Sequence, residues 1–311
     1  MKAIRWAMMA LAALAVSGCR TPAADDTIRT GAFVRYPDGA AAPQRHTEAE
    51  LQCREDGIHI VFTAQLLPGD AEILRAAAAG KPEGFRYEGM DNYEIFVAPD
   101  PSGEPWFHFM INSAGATYTH ISARDPLLSG EFAWPAAVRL ESARIVAEAL
   151  LPWSLFHPAA SAGGVWRVNL CRSSMFAGVA PEERHSSWFP AATAFADPGT
   201  FGSFPVPVER IRKYAGIRAE LSATGEALML RDDGGRALEL EFTFARDGRL
   251  ERGRETVDLS GGKAWSRQFP AGGRKRTLTL RLRDADGTVV YQGVSSLADE
   301  TPDFNRNPAA P

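Results

Sequence analysis

The chain has 311 residues, of which 45% are hydrophobic and 23% charged, the balance of a globular protein with a sizeable core, and its length suggests two domains. A formal net charge of -4 with no long block of one sign excludes the electrostatic footprint of a nucleic-acid binder. The 28 glycines and 21 prolines fall between short β-branched and aromatic segments, so strands joined by turns are expected.

Lys2 and Arg5 precede an apolar run from Trp6 to Val16, and Leu14-Ala15-Val16-Ser17-Gly18-Cys19 closes it with small residues ahead of a cysteine. A membrane-crossing helix needs about 20 apolar residues, so this shorter run reads as a secretory leader. The segment resembles a bacterial lipoprotein box. That resemblance implies that residues 1–18 are removed and that Cys19 carries the acyl chains (palmitate and diacylglycerol), which tether the protein to a membrane without spanning it. Arg20 rather than Asp follows Cys19, which fits export to the outer membrane. Residues 19–30 read as a flexible tether.

From residue 31 to 207 the pattern is mostly strand. Ile58, Ile60 and Phe62 alternate with His59, Val61 and Thr63; Tyr93, Ile95 and Val97 with Glu94 and Phe96; Phe107, Phe109 and Ile111 with Trp106, His108, Met110 and Asn112. A hairpin joining 93–97 to 106–112 follows, turning through Pro99-Asp100-Pro101-Ser102-Gly103. Further strands are expected at 145–151 and at 166–171, with Trp166, Trp153 and Phe156 in the core. The clearest helix is Asp70 to Ala79, capped by Asp70 and stopped by Gly80. Once Cys19 is acylated two thiols remain. Cys53 and Cys171 either pair, closing a long loop for about 3 to 5 kcal/mol, or stay as two buried thiols on apolar strands.

Pro205-Val206-Pro207 and the charged stretch Glu209 to Lys213 break this texture. Residues 213–298 carry a second strand series at 226–230, 237–244, 277–282 and 289–293, with Asp232-Asp233-Gly234-Gly235 and Asp284-Ala285-Asp286-Gly287 as hairpin turns. This second unit reads as a smaller sandwich like immunoglobulin or fibronectin modules. Residues 299–311 are polar and proline-rich and are expected to fray.

Three segments of the first unit resemble the family 9 carbohydrate-binding modules and their bacterial relatives, a jelly-roll-like β-sandwich group related to DOMON domains. They are Asp91-Asn92-Tyr93-Glu94-Ile95-Phe96-Val97-Ala98-Pro99-Asp100-Pro101-Ser102-Gly103, then Trp106-Phe107-His108-Phe109-Met110-Ile111-Asn112-Ser113-Ala114-Gly115, and Gly164-Val165-Trp166-Arg167-Val168-Asn169-Leu170-Cys171-Arg172 running on to Ser187-Trp188-Phe189-Pro190. The closing Phe195-Ala196-Asp197-Pro198-Gly199-Thr200-Phe201-Gly202 also fits. The resemblance implies an all-β fold and a saccharide ligand, with Glu94 and Asn112 facing sugar hydroxyls. It also implies structural calcium, although no loop shows a ladder of calcium-binding carboxylates.

A pyranose presents an apolar face and a rim of hydroxyls, so its site needs aromatic platforms beside planar hydrogen-bonding groups. Trp188, in the polar loop Arg184 to Pro190, is the expected stacking platform, and Tyr87 the expected second wall. No nucleophile elbow, His-Glu-x-x-His pair or phosphate loop occurs, so the chain reads as non-catalytic. Asp91 and Glu94, three apart on one strand, point to opposite faces and make no glycosidase pair. The leading expectation is a lipid-anchored saccharide-binding protein of a bacterial envelope, with the second unit acting as a spacer or docking an envelope partner. One alternative is an interaction lipoprotein without a sugar site. Another is a haem binder using Met90, Met110 or His108, as DOMON relatives do.

Overall fold

The computed structural model describes residues 27–36, 43–79, 84–100, 103, 105–123, 125–159, 164–190, 194–222, 224–270 and 275–298. The leader, Cys19, Gly80 and the 299–311 tail lie outside the described residues. The fold is all-β. In chain order its first twelve strands are β1 (Thr27–Arg29), β2 (Val34–Arg35), β3 (Thr47–Cys53), β4 (Gly57–Gln65), β5 (Asp91–Ala98), β6 (Phe107–Asn112), β7 (Thr117–Ile121), β8 (Ala136–Leu140), β9 (Arg144–Pro152), β10 (Val165–Ser174), β11 (His185–Ser187) and β12 (Gly202–Pro205), with helix α1 (Asp70–Ala79) after β4. They form two antiparallel sheets, one in the order β1-β3-β4-β9-β8 and one in the order β2-β11-β10-β5-β6-β7. β11 and β12 occupy successive halves of one edge of β10. Residues 27–29, expected in the tether, instead pair with β3 as an edge strand, because Thr27 to Arg29 supply a ladder partner for Glu50 to Gln52.

The pleat assigns side chains to the two faces of the second sheet. Tyr93, Ile95 and Val97 of β5, Phe107, Phe109 and Ile111 of β6, and Trp166, Val168 and Leu170 of β10 face the first sheet, where they meet Ile58, Ile60, Phe62, Ala147 and Leu151. Trp166 is fully buried, its ring 6.0 Å from Trp153 and 5.0 Å from Phe156. Phe96, Ala98 and Cys171 face the opposite way and form a separate small apolar cluster with Phe201. Cys53 belongs to the inter-sheet core and Cys171 to the outer cluster, so the sheet itself separates the two thiols and they remain unpaired. The disulfide alternative is thereby corrected.

One buried charge network crosses the core. The Arg172 guanidinium lies 2.8 and 2.9 Å from the Asp91 carboxylate and donates to the Arg45 carbonyl and to Thr47 Oγ1. Tyr93 and Ser174 hydroxyls also donate to Asp91. Arg45 in turn makes a two-pronged pair with Asp70 at the start of α1, so Asp70 is held by that guanidinium and by the Leu67 amide. A buried ion pair of this kind is tolerable only because its hydrogen bonds are satisfied.

After the short helix α2 (Val208–Ile211) come β13 (Ile217–Leu221), β14 (Ala227–Asp232), β15 (Ala237–Arg246), β16 (Arg249–Asp258), β17 (Trp265–Gln268), β18 (Lys275–Arg283) and β19 (Val289–Ala298). They make a three-stranded sheet, β13-β14-β17, and a four-stranded sheet, β16-β15-β18-β19. The turn at Asp284 to Gly287 closes the expected hairpin of β18 with β19, whereas the turn at Asp232 to Gly235, expected as a hairpin, carries the chain from β14 in one sheet to β15 in the other; Gly235 and Gly287 adopt positive φ in both. β19 fastens this second unit to the first. The Gly130 amide donates to the Val294 carbonyl, Gln292 Nε2 donates to Ser154 Oγ at 2.6 Å, and His157 Nε2 lies 3.0 Å from the Gln292 carbonyl. The His157 ring stacks on Tyr291, with centroids 3.8 Å apart.

Candidate functional site

The outward face of the second sheet carries the polar residues expected to meet a ligand. Glu94 sits at its centre, opposite Cys171 of β10 and Met110 of β6, and is 5% exposed. Glu94 Oε2 lies 2.9 Å from His108 Nε2, and Oε1 accepts from Ser173 Oγ at 2.6 Å and from the Tyr87 hydroxyl at 3.4 Å. Ser173 Oγ also lies 3.1 Å from His185 Nδ1. The short Ser173 to Glu94 contact assigns the hydroxyl proton to the carboxylate, so His185 Nδ1 donates to the serine oxygen. Ser173 is therefore oriented as a relay and not as a base-activated nucleophile.

Burial alone would push the Glu94 carboxyl up, but His108, Ser173 and the nearby His185 outweigh it and hold the group below its ordinary range, as an anion. Burial pulls His185 down, against the opposing pull of Glu94, and burial with His108 nearby pulls His120 down. Tyr87 is pushed up by burial and then by the Glu94 charge, so its phenol stays protonated and remains a donor. The floor of the site is thus one anionic carboxylate with three donors committed to it.

Aromatic rings border that floor on both sides. His108 stacks on Phe96 at 4.1 Å, and Trp106 lies 6.3 Å from Phe96 and 5.4 Å from His120. On the other side Tyr36 stands 4.7 Å from Phe195 and 6.3 Å from His185. Tyr87 joins Glu94, as the expected pairing of those two residues requires, but it does so through its hydroxyl.

The structure does not bring the other two expected residues to this floor. Trp188 packs half-buried against the inter-sheet core, its ring 4.5 Å from Phe189 and its amide bonded to the Leu170 carbonyl. Continuation of the ladder past Ser187 turns it to the opposite side of the sheet from Glu94. Asn112 is buried and engaged with its own chain: Nδ2 donates to the Arg86 carbonyl, and Oδ1 accepts from the Ala114 and Ala116 amides. It shapes the β6–β7 turn and pins the 84–90 loop. The indole on the Glu94 face is Trp106, whose parity with His108 along β6 was the available signal.

Among the described residues no group of three or more His, Cys, Asp or Glu is placed to hold a metal ion. Of the residues named for a haem, His108 has its Nε2 on Glu94 and one ring face against Phe96, Met90 is buried with its sulfur against Ser113, and Met110 lies on the His108 side of β6. Two clefts, of about 460 and 590 Å³, lie away from this face, one between the two units and one on the four-stranded sheet.

No protein-family model and no curated protein matches the chain. Solved structures that resemble it weakly include three that are 11 to 17% identical. A protein from Bacteroides uniformis, provisionally described as carbohydrate-binding, is 17% identical with a TM-score of 0.39, over 59% of this chain and 87% of that one. A family 9 carbohydrate-binding module from Caldicellulosiruptor kristjanssonii, solved with glucose, is 14% identical with a TM-score of 0.32, over 56% and 83%. A DUF4785 family protein from Legionella pneumophila is 11% identical with a TM-score of 0.22, over 81% of this chain and 55% of that one.

Proposed function

We propose that this chain is a non-catalytic, lipid-anchored saccharide-binding protein of a bacterial envelope, and that its ligand meets the Glu94 face of a family 9-like sandwich. The observation that carries the reading is the Glu94 floor itself: a buried anionic acceptor ringed by Trp106, Tyr87, Tyr36, Phe195 and two histidines. That combination pairs apolar ring faces with directional hydrogen bonding, as a pyranose requires. The Cys19 motif supports the anchor.

Saccharide titration of the chain against a glycan panel tests the proposal. Trp106→Ala should weaken binding by about 1 to 3 kcal/mol, the range for a truncated aromatic anchor, and Glu94→Gln should weaken it by removing the anionic acceptor. Unchanged affinity in both variants would sink the site. Release of Cys19→Ala from the membrane fraction tests the anchor separately. A second reading, an interaction lipoprotein without a sugar site, gains from the commitment of Asn112 and Trp188 to the fold; failure of every glycan to bind would favour it.

A further inference from the structure

The four-stranded sheet of the C-terminal unit has a face that neither the core nor the N-terminal unit covers. Leu238, Leu240, Phe242 and Phe244 of β15 point inward, so Glu239, Glu241 and Thr243 point out. Register then fixes their neighbours. Glu241 stands between Arg254 and Arg281, Thr243 between Arg252 and Thr279, and Glu239 between Thr256 and Arg283. Four arginines thus share this face with two glutamates. Both glutamates are already neutralised: Arg254 donates to Glu239 at 2.6 Å and Arg283 to Glu241 at 3.3 Å. Arg252 and Arg281 have no carboxylate partner among the described residues.

The same residues line a groove of about 590 Å³ formed by Glu241, Thr243, Arg252, Arg254, Thr279 and Arg281. Arg252 and Arg281 stand on either side of it, two strand spacings and two residues apart, a separation of about 12 Å between their backbones. Thr243 and Thr279 continue the row that starts at Arg252, Arg281 follows two residues along β18 from Thr279, and Glu241 and Thr243 flank the middle of the span on β15. Arg281 also reaches the rim of the cleft between the two units.

We propose that this groove binds a linear acidic polysaccharide, with carboxylates on Arg252 and Arg281 and chain hydroxyls on Thr243 and Thr279. The charge selects an anion, because each unpaired guanidinium offers a planar fork of donors matched to a carboxylate. The concave shape selects a chain over a bilayer, since a flat lipid surface would touch only the rims. The one aromatic side chain of the groove lining, Phe242, is buried with its ring under the Arg267 guanidinium, so it presents no stacking platform of the kind a single-stranded nucleic acid would use. The site is separate from the Glu94 face and has the opposite polarity, so it stands or falls independently of the function proposed above.

The test uses the full-length chain in mild detergent, titrated with polygalacturonate, with neutral dextran and with phosphatidylglycerol vesicles. Polygalacturonate should bind, more weakly as salt rises. The double variant Arg252→Glu/Arg281→Glu should lose roughly tenfold or more in affinity, as expected for two charge-assisted contacts. Arg252→Gln/Arg281→Gln should show the same direction and covers the case in which the charge reversal does not fold. Arg218→Glu/Arg231→Glu, an equal charge change at two exposed arginines of the other sheet, and Arg218→Glu alone should leave binding intact. Neutral-glycan binding at the Glu94 face should not respond to either arginine pair. No binding of polygalacturonate, equal loss in Arg218→Glu/Arg231→Glu, or capture of the vesicles with polygalacturonate ignored would each overturn the proposal.

Discussion

Acid should weaken the molecule at one identifiable residue, His157. Its ring is buried against Tyr291 and its Nε2–H donates to the Gln292 carbonyl, so the neutral form is the one the fold holds. Burial lowers its pKa from an ordinary value near 6.5 to about 3, only partly opposed by the bond to Gln292. The unfolded chain therefore binds a proton at this residue at pH values where the folded chain does not. Stability rises with pH across that window: the contribution is fully present above 6.5 and is lost as pH falls toward 3. Between pH 7 and pH 4 the two pKa values correspond to a loss of about 3 kcal/mol from this group alone. Glu94, Asp70 and Asp232, whose carboxyls the fold holds low, lose stability in the same direction, so the His157 share must be read as a difference. Urea unfolding of the wild type and of His157→Phe at pH 7 and pH 4 isolates it. The phenyl ring keeps the contact with Tyr291 but cannot titrate. The wild type should lose about 3 kcal/mol more than the variant over that interval; equal losses would refute the assignment of His157 as a buried neutral latch between the two units.

Other perturbations separate core from surface. Arg172→Met should destabilise the fold by about 3 to 5 kcal/mol in denaturant titration, because it leaves the Asp91 carboxylate buried without its partner; a loss below 1 kcal/mol would mean that the network is slack. Trp166→Ala should cost about 3 to 5 kcal/mol as a truncation in the fully buried core. Trp188→Ala should cost less, because that ring is half-buried, and should leave saccharide affinity unchanged; weaker binding in a fully folded variant would return Trp188 to the site. Cys53, whose thiol burial pushes up to about 12, and Cys171, held well above the ordinary thiol range by burial and the neighbouring Glu94, should resist alkylation until the protein is unfolded and then label together. A disulfide-linked peptide pair in non-reducing mass mapping would contradict their separation by the sheet.

Which parts were legible without coordinates follows from the range of each interaction. Helix α1 was readable because an acidic start and an apolar spacing of three and four sit within ten residues. Strands β4, β5, β6 and β10 were readable because alternation is local. β16 escaped detection because it is an edge strand whose only buried side chain is Val257, so Arg249 to Asp258 carry no apolar period. Parity alone placed Glu94 and His108 on one face and Asp91 on the other.

The sequence by itself determined the all-β class, the places of the turns and the opposite faces of Asp91 and Glu94, since period-two alternation and turn chemistry are properties of neighbouring residues, but not that the Asp232 to Gly235 turn changes sheets instead of closing a hairpin. Only the tertiary structure decided what each face meets. Glu94 finds Ser173 79 residues away, and Arg172 finds Asp91 across 81. Asn112 spends its amide on Arg86 26 residues earlier. Such partners are fixed by strand order and register, which bring distant segments within hydrogen-bond reach. For the same reason, the turn of one residue past Ser187 sent Trp188 to the core and left Trp106 as the indole on the Glu94 face, against Phe96 and His120.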